Sequence, residues 1–481
     1  MARQWRPSDL RGLPMLLRYG ASLPGVALAA ARSRPRQVVL VDTCGPMTGA
    51  EFVAAVDAVA ELITAAVGPV RPQLAGVVLG NHRGLVTGVV AAGSLGIDGV
   101  LVPPSAGTQV IASALAGVDL ALVDESTGDA VRTAAPLTPL LDLSAVPGPP
   151  ADRPGRRATR PRRTGSLRLL TSGTTGAPKA TDRGRVGVTQ LATLVSLLGA
   201  FGPRRGEPLV IAPPLAHGHG LSALTAALVV GAPAVLGHGR DGTALAGLVR
   251  DHEAGALTVV PAQLARLVDA LEAERDRAGT ATRPLTSLRR IATGSAPLPT
   301  ELVRWTARLL GDRLVDFYGT SEAGTATIAT ATDLRQAPGS VGRPAAGVRV
   351  EIVGDDGAVL PAGVVGRVRV GSPWRASSVA DRAVLTGDFG RLDHAGRLFL
   401  DGRVDDTVVI GGHNVSLRGV REWFARQPGV RAVTVEPVPH PELGQELEVS
   451  VTGQADVVGL RARALAELGP AAAPRRVRQA R

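Results

Sequence analysis

Short apolar segments alternate with amphipathic segments along most of this chain. Val38 to Val41 and Leu74 to Leu79 are continuous apolar runs of strand length, and the segment Glu51 to Val67 between them has apolar residues at helical spacing. Asn81-His82-Arg83-Gly84 opens the next helical stretch, and the alternation continues to about Val259. Buried strands that alternate with helices are typical of parallel sheets covered by helices on both faces. The pattern therefore predicts an α/β fold.

The pattern changes after Val348, where short strands with alternating polar and apolar residues replace the longer apolar runs. These strands are separated by Gly-Asp turns and predict a small β subdomain. They are Val348 to Ile352, Gly366 to Val370 and Arg397 to Leu400. A polar turn over Asp401 to Asp406 follows. Beyond it, a helix over Val420 to Gln427 and a strand over Leu447 to Val451 predict an α+β segment.

We place a domain boundary in the polar turn, at Arg403 to Asp405. The expected architecture begins with a large N-terminal domain over residues 1–402, made of parallel-rich sheets covered by helices together with the small β subdomain. A small, shortened α+β C-terminal domain follows over residues 403–481. The length of 481 residues agrees with this division, because a chain of that size exceeds what one hydrophobic core usually holds.

Composition narrows the choice of partners and compartment. The net charge of +11 favours anionic ligands by long-range attraction. Because no basic motif is interleaved with aromatic residues, nucleic acid is not an expected partner. Cys44 is the only cysteine, so a disulfide within the chain is impossible and a reducing cytoplasm is the simplest setting.

Two apolar regions bear on membrane contact. The longest apolar run, Leu85 to Val102, is interrupted by Ser94 and Asp98, so a buried helix and strand are expected rather than a membrane span. Residues 1–34 contain arginines but no apolar core followed by a cleavage site, so no signal peptide is expected. The region Leu10 to Leu28 is expected to form a packed N-terminal helix, with peripheral contact to a membrane surface as the alternative.

The segment Leu169 to Lys179 joins two apolar residues to an alternation of hydroxyl residues and glycines that ends on a lysine. Glycines let backbone N–H groups approach a ligand, the hydroxyls add donors, and the lysine adds a compact positive charge. Lys179 is also the only lysine among 53 basic residues. The spacing is not that of a Walker A loop, in which a glycine precedes the lysine, because Pro178 stands there. The segment predicts a loop that binds a polyphosphate.

The segment Ser172 to Lys179 resembles the signature loop of the adenylate-forming superfamily, which includes acyl-CoA synthetases, luciferases and the adenylation domains of peptide synthetases. Other segments resemble the further motifs of this superfamily in the same order. They are Pro214 to Gly220, Thr293 to Leu298, Asp316 to Glu322, Gly339 to Pro344, Thr386 to Asp388 and Gly402 to Asp406. The resemblance extends from about Val38 nearly to the last residue, and Asn81 to Gly84 is most similar to actinobacterial fatty-acid CoA ligases.

The resemblance implies a reaction in two steps. The carboxylate of a fatty or other acyl acid attacks the α-phosphate of ATP, which gives acyl-AMP and pyrophosphate. A thiol such as coenzyme A then displaces AMP. ATP, Mg²⁺ and coenzyme A are therefore the implied cofactors, and the implied partners are a small-molecule acid and either coenzyme A or another acceptor.

The resemblance also implies the residues of the nucleotide site. Thr320 would donate to the α-phosphate, Glu322 would hold Mg²⁺ because hard cations take carboxylate oxygens, and Lys179 would hold the β- and γ-phosphates. The phosphate loop would add Ser172, Gly173, Thr174, Thr175 and Gly176. The base and the ribose would be bound by Gly294, Ser295, Ala296, Asp316, Phe317, Tyr318, Gly319, Asp388 and Arg403. In that set Tyr318 would stack on adenine, and Asp388 would accept the ribose hydroxyls.

Three positions bear on the acid site and the hinge. His217 resembles a residue that lies between the acyl pocket and the thiol tunnel, and it is a candidate catalytic residue; a histidine satisfied within the core is the alternative. His219 and Ala216 stand where related ligases often carry bulky aromatic residues, which implies a wider or differently shaped pocket. Asp405 resembles the pivot about which the small domain rotates between the two steps, with an ordinary polar turn as the alternative.

One expected residue has no counterpart in this chain. The superfamily normally carries a lysine near its C-terminus that reaches the acid carboxylate and the α-phosphate, but Lys179 is the only lysine present. Losing one such charge typically costs a factor on the order of 10²–10³ in rate. The segment Ala473 to Val477 resembles the stretch just upstream of that lysine, and an arginine such as Arg476 or Arg478 could act in part.

Several interpretations follow from the missing lysine. The chain is a slow or conditional acyl ligase, an adenylate-forming enzyme that uses another acceptor or a small oxyanion such as nitrite, or a nucleotide- or acyl-binding protein without turnover. A truncated reading frame is a further explanation. Because Lys179, Glu322 and Asp388 are all retained, an ATP-dependent, AMP-forming acid–thiol ligase is the function that we expect.

Overall fold

The structure is a computed structural model. It describes residues 11–67, 72–146, 163–171, 179–182, 190–237, 241–278, 285–375, 383–403, 407–410, 413–440 and 444–480. The chain divides into two compact units, which are Met1–Val348 with Gly371–Arg382, and Arg349–Val370 with Ala383–Arg481.

The first unit contains two sheets and the helices that cover them. Its described strands are β1 (Val38–Asp42), β2 (Gly45–Thr48), β3 (Leu74–Val78), β4 (Asp98–Leu101), β5 (Leu120–Val123), β6 (Leu140–Asp142), β7 (Leu167–Thr171), β8 (Lys179–Asp182), β9 (Leu209–Ile211), β10 (Ala234–Leu236), β11 (Ala256–Thr258), β12 (Arg290–Gly294), β13 (Leu314–Thr320), β14 (Gly324–Ala329) and β15 (Arg343–Pro344). Its described helices are α1 (Leu13–Tyr19), α2 (Leu23–Ser33), α3 (Gly49–Val67), α4 (Arg83–Ser94), α5 (Thr108–Ala114), α6 (Gly128–Ala134), α7 (Leu191–Phe201), α8 (Gly218–Val230), α9 (Gly242–Asp251), α10 (Pro261–Ala278), α11 (Thr300–Leu310) and α12 (Ala331–Gln336).

Both sheets have parallel centres; both edges of the larger sheet and one edge of the smaller sheet are antiparallel. The larger sheet has the order β15-β14-β13-β12-β11-β9-β10-β1-β2, and the pairs from β1 to β13 are parallel, whereas β2, β14 and β15 pair antiparallel. The smaller sheet has the order β6-β5-β3-β4-β7-β8, and only its β7–β8 pair is antiparallel among the described strands. Parallel strands end at the same edge of a sheet, so the loops after β9, β11, β12 and β13 lie side by side.

The hydrophobic clusters show how the layers are stacked. Leu40 of β1, Leu122 of β5 and Phe52 of α3 belong to one cluster, so helices lie between the two sheets. Val210 of β9 belongs to a second cluster with residues of α9, α10 and α11 on the other face of the larger sheet. A third cluster, which includes Ile111 of α5, covers the outer face of the smaller sheet. The result is a helix–sheet–helix–sheet–helix stack.

The described part of the second unit contains short sheets and two helices. Its described elements are β16 (Arg349–Val353), β17 (Gly366–Gly371), β18 (Val384–Leu392), β19 (Leu398–Arg403), β20 (Thr407–Ile410), β21 (His413–Ser416), α13 (Leu417–Ala425), β22 (Val430–His440), β23 (Gly444–Gly453), α14 (Val457–Ala472) and β24 (Arg476–Gln479). Strands β16 to β19 form one sheet in chain order, β20 pairs with β21, and β22, β23 and β24 form a third sheet. Phe424, Leu447 and Leu460 are central in the core beneath this third sheet.

The predicted α/β architecture is confirmed, and the apolar run from Leu85 to Val102 forms most of α4 and then β4. Among the residues that the structure describes, no helix combines the length and apolar character needed to cross a membrane. The boundary predicted at Arg403 to Asp405 stays a prediction, since residues 404–406 lie outside the described part of the chain.

Two details differ from the sequence expectations. The described part of the region Leu10 to Leu28 contains two helices rather than one, because Ser22 caps α2 by accepting a hydrogen bond from Gly25 N at 3.2 Å and so starts a new helix. The polar turn expected over Asp401 to Asp406 does not include its first three residues, because Asp401 to Arg403 belong to β19, where Gly402 and Arg403 pair with Phe389 and Asp388 of β18.

Candidate active site

Three of the predicted motifs meet at the carboxyl edge of the larger sheet. The histidine segment follows β9, the loop Gly294 to Ala296 follows β12, and the segment Asp316 to Glu322 occupies the end of β13 and the turn after it. Strands β9, β11, β12 and β13 are consecutive neighbours in the sheet. Ligands of open α/β sheets bind beyond the carboxyl ends of the strands, so this edge is the candidate active site.

The approach of β12 to β13 leaves no room for a side chain at Gly294. Gly294 pairs with Phe317, and a Cβ built on Gly294 would lie 2.7 Å from Phe317 O. The next residue, Ser295, is exposed and has φ +69, a left-handed conformation that is uncommon outside glycine. Ala296 is also exposed. The loop therefore turns sharply out of the sheet and presents its backbone beside the Asp316 to Glu322 segment.

Asp316 is a buried carboxyl without full hydrogen bonding. It is 3% exposed, and its Oδ1 has no hydrogen-bond partner. Burial raises the pKa of Asp316 to about 8, against the opposing effect of the hydrogen bond from the Phe317 backbone. Thr293, its register partner on β12, also has a buried hydroxyl without a partner. Unpaired buried polar groups are rare and here lie side by side at the candidate site.

The turn after β13 presents a hydroxyl and a carboxylate. Thr320 Oγ1 accepts a hydrogen bond from Ala323 N at 3.0 Å, which leaves its O–H available as a donor. Glu322 is exposed, and Tyr318 is half-buried. Gly319 is needed because a Cβ there would lie 2.2 Å from Gly324 O. No group of three or more acidic, histidine or cysteine side chains able to hold a metal occurs among the described residues.

The two histidines of the segment after β9 have different surroundings. His217 is the N-cap residue of α8 and is exposed as a whole residue. Desolvation of its ring by the surrounding protein lowers its pKa. His219 is half-buried, and desolvation lowers its pKa to about 4, so the ring is neutral at pH 7. Ala216 is buried, as the absence of a bulky side chain at that position permits.

His219 connects the histidine segment to the other two motifs. Its Nε2 lies 2.8 Å from Thr258 Oγ1, and its Nδ1 lies 3.4 Å from Ser295 Oγ. Its ring packs edge-on against Phe317 with centroids 6.2 Å apart, and Phe317 stacks on Phe201 at 4.6 Å. The sequence suggested only a change of pocket shape at His219. The structure shows that this histidine bridges the segment after β9 to the ends of β11, β12 and β13.

The predicted phosphate loop joins β7 to β8. These strands pair antiparallel with Thr171 opposite Lys179, so Lys179 is the first residue after the loop. Strand β7 is parallel to β4, so the paired residues Thr171 and Lys179 lie at the carboxyl edge of the smaller sheet. The loop itself, with Ser172, Gly173, Thr174, Thr175 and Gly176, lies outside the described residues.

Asp388 and Arg403 belong to the second unit. They are register partners on β18 and β19, and Arg403 Nε lies 3.9 Å from Asp388 Oδ1. Asp388 is buried and follows Gly387, which has φ +75. The pair therefore forms a carboxylate held beside a guanidinium. Asp405 lies outside the described residues.

Comparison with known proteins matches the chain to one family and to two acid–CoA ligases. The sequence profile of the family "AMP-binding enzyme" matches residues 28–378. The chain is similar to a sulfoacetate–CoA ligase from Cupriavidus necator, with 29% identity over 374 residues that span 73% of this chain and 71% of the relative. It is also similar to an indoleacetate–CoA ligase from Aromatoleum aromaticum, with 31% identity over 282 residues that span 56% of this chain and 53% of the relative.

A solved structure agrees over nearly the full length. The amide bond synthetase McbA from Marinactinospora thermotolerans superimposes with a TM-score of 0.80 and 25% identity, covering 99% of this chain and 96% of that protein. The arrangement of sheets described above is therefore found in another protein of known structure.

Proposed function

Since the chain belongs to the AMP-binding enzyme family, we propose that it uses ATP to activate a carboxylic acid as an acyl-adenylate and transfers the acyl group to a thiol such as coenzyme A. The acid is a fatty or other acyl acid. The observation that carries this proposal is the convergence of the histidine segment, the Gly294 loop and the Asp316 to Glu322 segment at one edge of a parallel sheet. The similarity to two acid–CoA ligases supports the choice of acceptor.

The chemistry of Asp316 fits an adenine base. A carboxyl with a pKa of about 8 is largely protonated at pH 7. A protonated carboxyl has one donor and one acceptor, and adenine offers the matching pair in its amino group and a ring nitrogen. The unpaired Oδ1 is one of the two oxygens that such a pairing would use. In this proposal Tyr318 stacks on the base, Phe317 and Gly319 shape the strand beneath it, and Gly294, Ser295 and Ala296 line its other side.

The phosphates are proposed to bind to the turns that follow the strands. The Thr320 hydroxyl, whose oxygen already accepts from Ala323 N, donates to the α-phosphate where negative charge develops. Glu322 would hold Mg²⁺, since Mg²⁺ is commonly bound through one or two carboxylates plus substrate phosphates. Lys179 and the hydroxyls of Ser172, Thr174 and Thr175 bind the β- and γ-phosphates, with Gly173 and Gly176 allowing close backbone approach.

The remaining roles are proposed on the family motifs. Asp388 accepts hydrogen bonds from the ribose hydroxyls, and Arg403 assists. His217 contacts the acid or the incoming acceptor. Asp405 is the hinge of a C-terminal domain that begins at Arg403. The single cysteine supports a cytoplasmic setting.

A second candidate is transfer to an acceptor other than a thiol. The similarity to an amide bond synthetase over 99% of this chain favours an amine as that acceptor. The acid-activation step is common to both candidates, so the two differ only in what attacks the acyl-adenylate.

The decisive measurement is exchange of radiolabelled pyrophosphate into ATP, with Mg²⁺ and a panel of acids that includes hexanoate, palmitate, indoleacetate and sulfoacetate. Acid-dependent exchange is expected. Product analysis with coenzyme A or with simple amines then separates the two acceptors. Absence of both exchange and calorimetric MgATP binding would overturn the proposal, and MgATP binding without exchange would leave a binding protein instead of an enzyme.

A further inference from the structure

The segment between β9 and α8 contains two consecutive prolines, which change its hydrogen bonding. Pro213 and Pro214 have no N–H, so Ala212 and Leu215 are the only donors in the turn Ala212 to Leu215. Ala212 N donates to Thr258 O at 3.1 Å and extends the sheet by one residue. Leu215 N lies beyond the sheet, and a buried N–H needs a partner from elsewhere.

Asn81 supplies that partner. It lies between β3 and α4, and its Oδ1 accepts from Leu215 N at 2.8 Å. Its Nδ2 donates to Pro213 O at 2.9 Å. One half-buried amide therefore holds the turn at two points, although Asn81 and Pro213 are 132 residues apart in sequence.

Gln263 holds the same turn from the other side. This residue lies in the first turn of α10 and is 6% exposed. Its Nε2 donates to Ala212 O at 2.9 Å, and its Oε1 accepts from Val260 N at 3.0 Å. Gln263 thus ties the turn to the loop after β11.

The turn has no unpaired backbone carbonyl between Ala212 and Pro214, because Pro214 O accepts from His217 N at 3.0 Å. Helix α8 starts directly against the turn, since a Cβ on Gly220 would lie 2.5 Å from Pro214 O. A shift of the turn would therefore move the start of α8, which carries His217 and His219. His219 in turn contacts Phe317 and Ser295 of the nucleotide-side motifs.

We propose that Asn81 and Gln263 are positioning residues for acid activation. Their side-chain amides fix the turn Ala212 to Leu215, and the turn fixes His217 and His219 relative to the end of β13. This inference rests on the proposed acid-activating function. It assigns to Gln263, which lies outside the recognised motifs, and to Asn81, the first residue of the Asn81 to Gly84 segment, the task of holding the acid-side segment in register with the nucleotide-side segments.

The test uses two substitutions that keep size and the acceptor oxygen but remove the donor, Asn81→Asp and Gln263→Glu. Each places a second acceptor oxygen against a backbone carbonyl, which repels it. Small misplacements at a reacting centre can cost up to about 10²-fold in rate. We expect kcat/KM for the acid in pyrophosphate exchange to fall by about 10- to 100-fold, while KM for ATP stays within about threefold, since the nucleotide motifs lie on other strands.

Thr127→Ala is the matched control. Thr127 Oγ1 donates to Val78 O at 2.6 Å and also bonds to Asp124, at the same end of β3 as Asn81. Loss of this hydroxyl is expected to lower the melting temperature. Any change in the KM for the acid should be matched by a similar change in the KM for ATP. The acid used is the one that gives the fastest wild-type exchange.

A parallel change in the two KM values, or kinetics like those of Thr127→Ala, would show that the amides are only structural and would overturn the inference. If Asn81→Asp does not fold, Gln263→Glu decides the question from the opposite side of the turn. An inactive wild type would refute the proposed function, whereas an active wild type with unaffected variants would refute only the positioning role.

Discussion

Gly294 has no space for a side chain. A Cβ there would lie 2.7 Å from Phe317 O and 3.2 Å from Phe317 Cβ, and the first distance is shorter than any ordinary van der Waals contact. This absence of a side chain lets β12 approach β13 and brings the exposed Ser295 beside the predicted nucleotide segment. The close packing of β12 against β13 at Gly294 thus contributes to the stability of the sheet and also sets the shape of the site.

Gly294→Ala is expected to lower the free energy of unfolding by about 1–3 kcal/mol, the usual cost of overpacking, and to weaken MgATP binding. Gly199→Ala is the matched control, because Gly199 lies on the exposed side of α7 and an added Cβ would meet no described atom within 4 Å. That control should gain about 0.5–1 kcal/mol from helix propensity. Urea denaturation and calorimetry measure both effects. A Gly294→Ala variant as stable as the wild type would contradict the close approach of β12 and β13.

At the scale of elements, the hairpin β7–β8 carries the single lysine of the chain. Lys179 is the first residue of β8 and lies opposite Thr171 across the hairpin. A loop that closes between these strands has both its ends fixed by the sheet. Binding of a polyphosphate between these strands stays a prediction, and Lys179 is the residue through which it can be tested.

The uniqueness of Lys179 allows a direct chemical test. An N-hydroxysuccinimide ester should acylate Lys179 and the α-amine, and mass spectrometry distinguishes the two sites. Saturating MgATP is expected to slow acylation of Lys179 by at least about fivefold, because an amine paired with phosphate is neither free nor deprotonated. AMP, which lacks the β- and γ-phosphates, serves as the control and should protect little. Equal protection by AMP would contradict the assignment of Lys179 to those phosphates.

Elements that depend on local pattern can be predicted from the sequence. Strands β1 and β3 and helix α3 are recognisable because their apolar residues recur at the period of one strand or one helix. The chain between Leu10 and Leu28 is harder to predict. The expectation of one helix there misses the boundary, although Gly20 ends α1 and Ser22 caps α2, and glycine and serine are ordinary residues for these two roles.

Contacts between distant segments cannot be predicted in the same way. His219 lies 39 residues from Thr258 and 76 residues from Ser295, and no periodicity relates them. The hydrogen bond between Leu215 N and Asn81 Oδ1 likewise joins two segments that are distant in sequence and that no periodicity relates. The prolines at 213 and 214 are nonetheless a readable signal, since two missing N–H groups imply that side chains from elsewhere must complete the turn.

At the scale of the whole molecule, two groups in the first unit make stability depend on pH in opposite directions. The pKa of His219 is lowered from 6.5 to about 4, so the unfolded state binds more protons in that window and stability rises with pH from about 4 to 6.5. The pKa of Asp316 is raised from 3.8 to about 8, so the folded state binds more protons and stability falls as pH rises from about 4 to 8. Below pH 6.5 the two effects oppose each other. Above pH 6.5 only Asp316, of these two residues, still makes stability depend on pH.

The interval from pH 6.5 to 8 therefore isolates the contribution of Asp316. Asp316→Asn keeps one donor and one acceptor but cannot ionise, so its free energy of unfolding should exceed that of the wild type by an amount that grows with pH. The limiting slope for one proton is about 1.4 kcal/mol per pH unit. Urea denaturation at half-unit pH steps measures this difference, with separate fits if the two units unfold in two transitions. The same variant should bind MgATP within about threefold of the wild type at pH 7, because an amide offers adenine the same donor and acceptor as the protonated carboxyl. A difference in stability that stays constant across this pH interval would mean that Asp316 is ionised in the folded protein, and the proposed pairing of its neutral form with adenine would then fail.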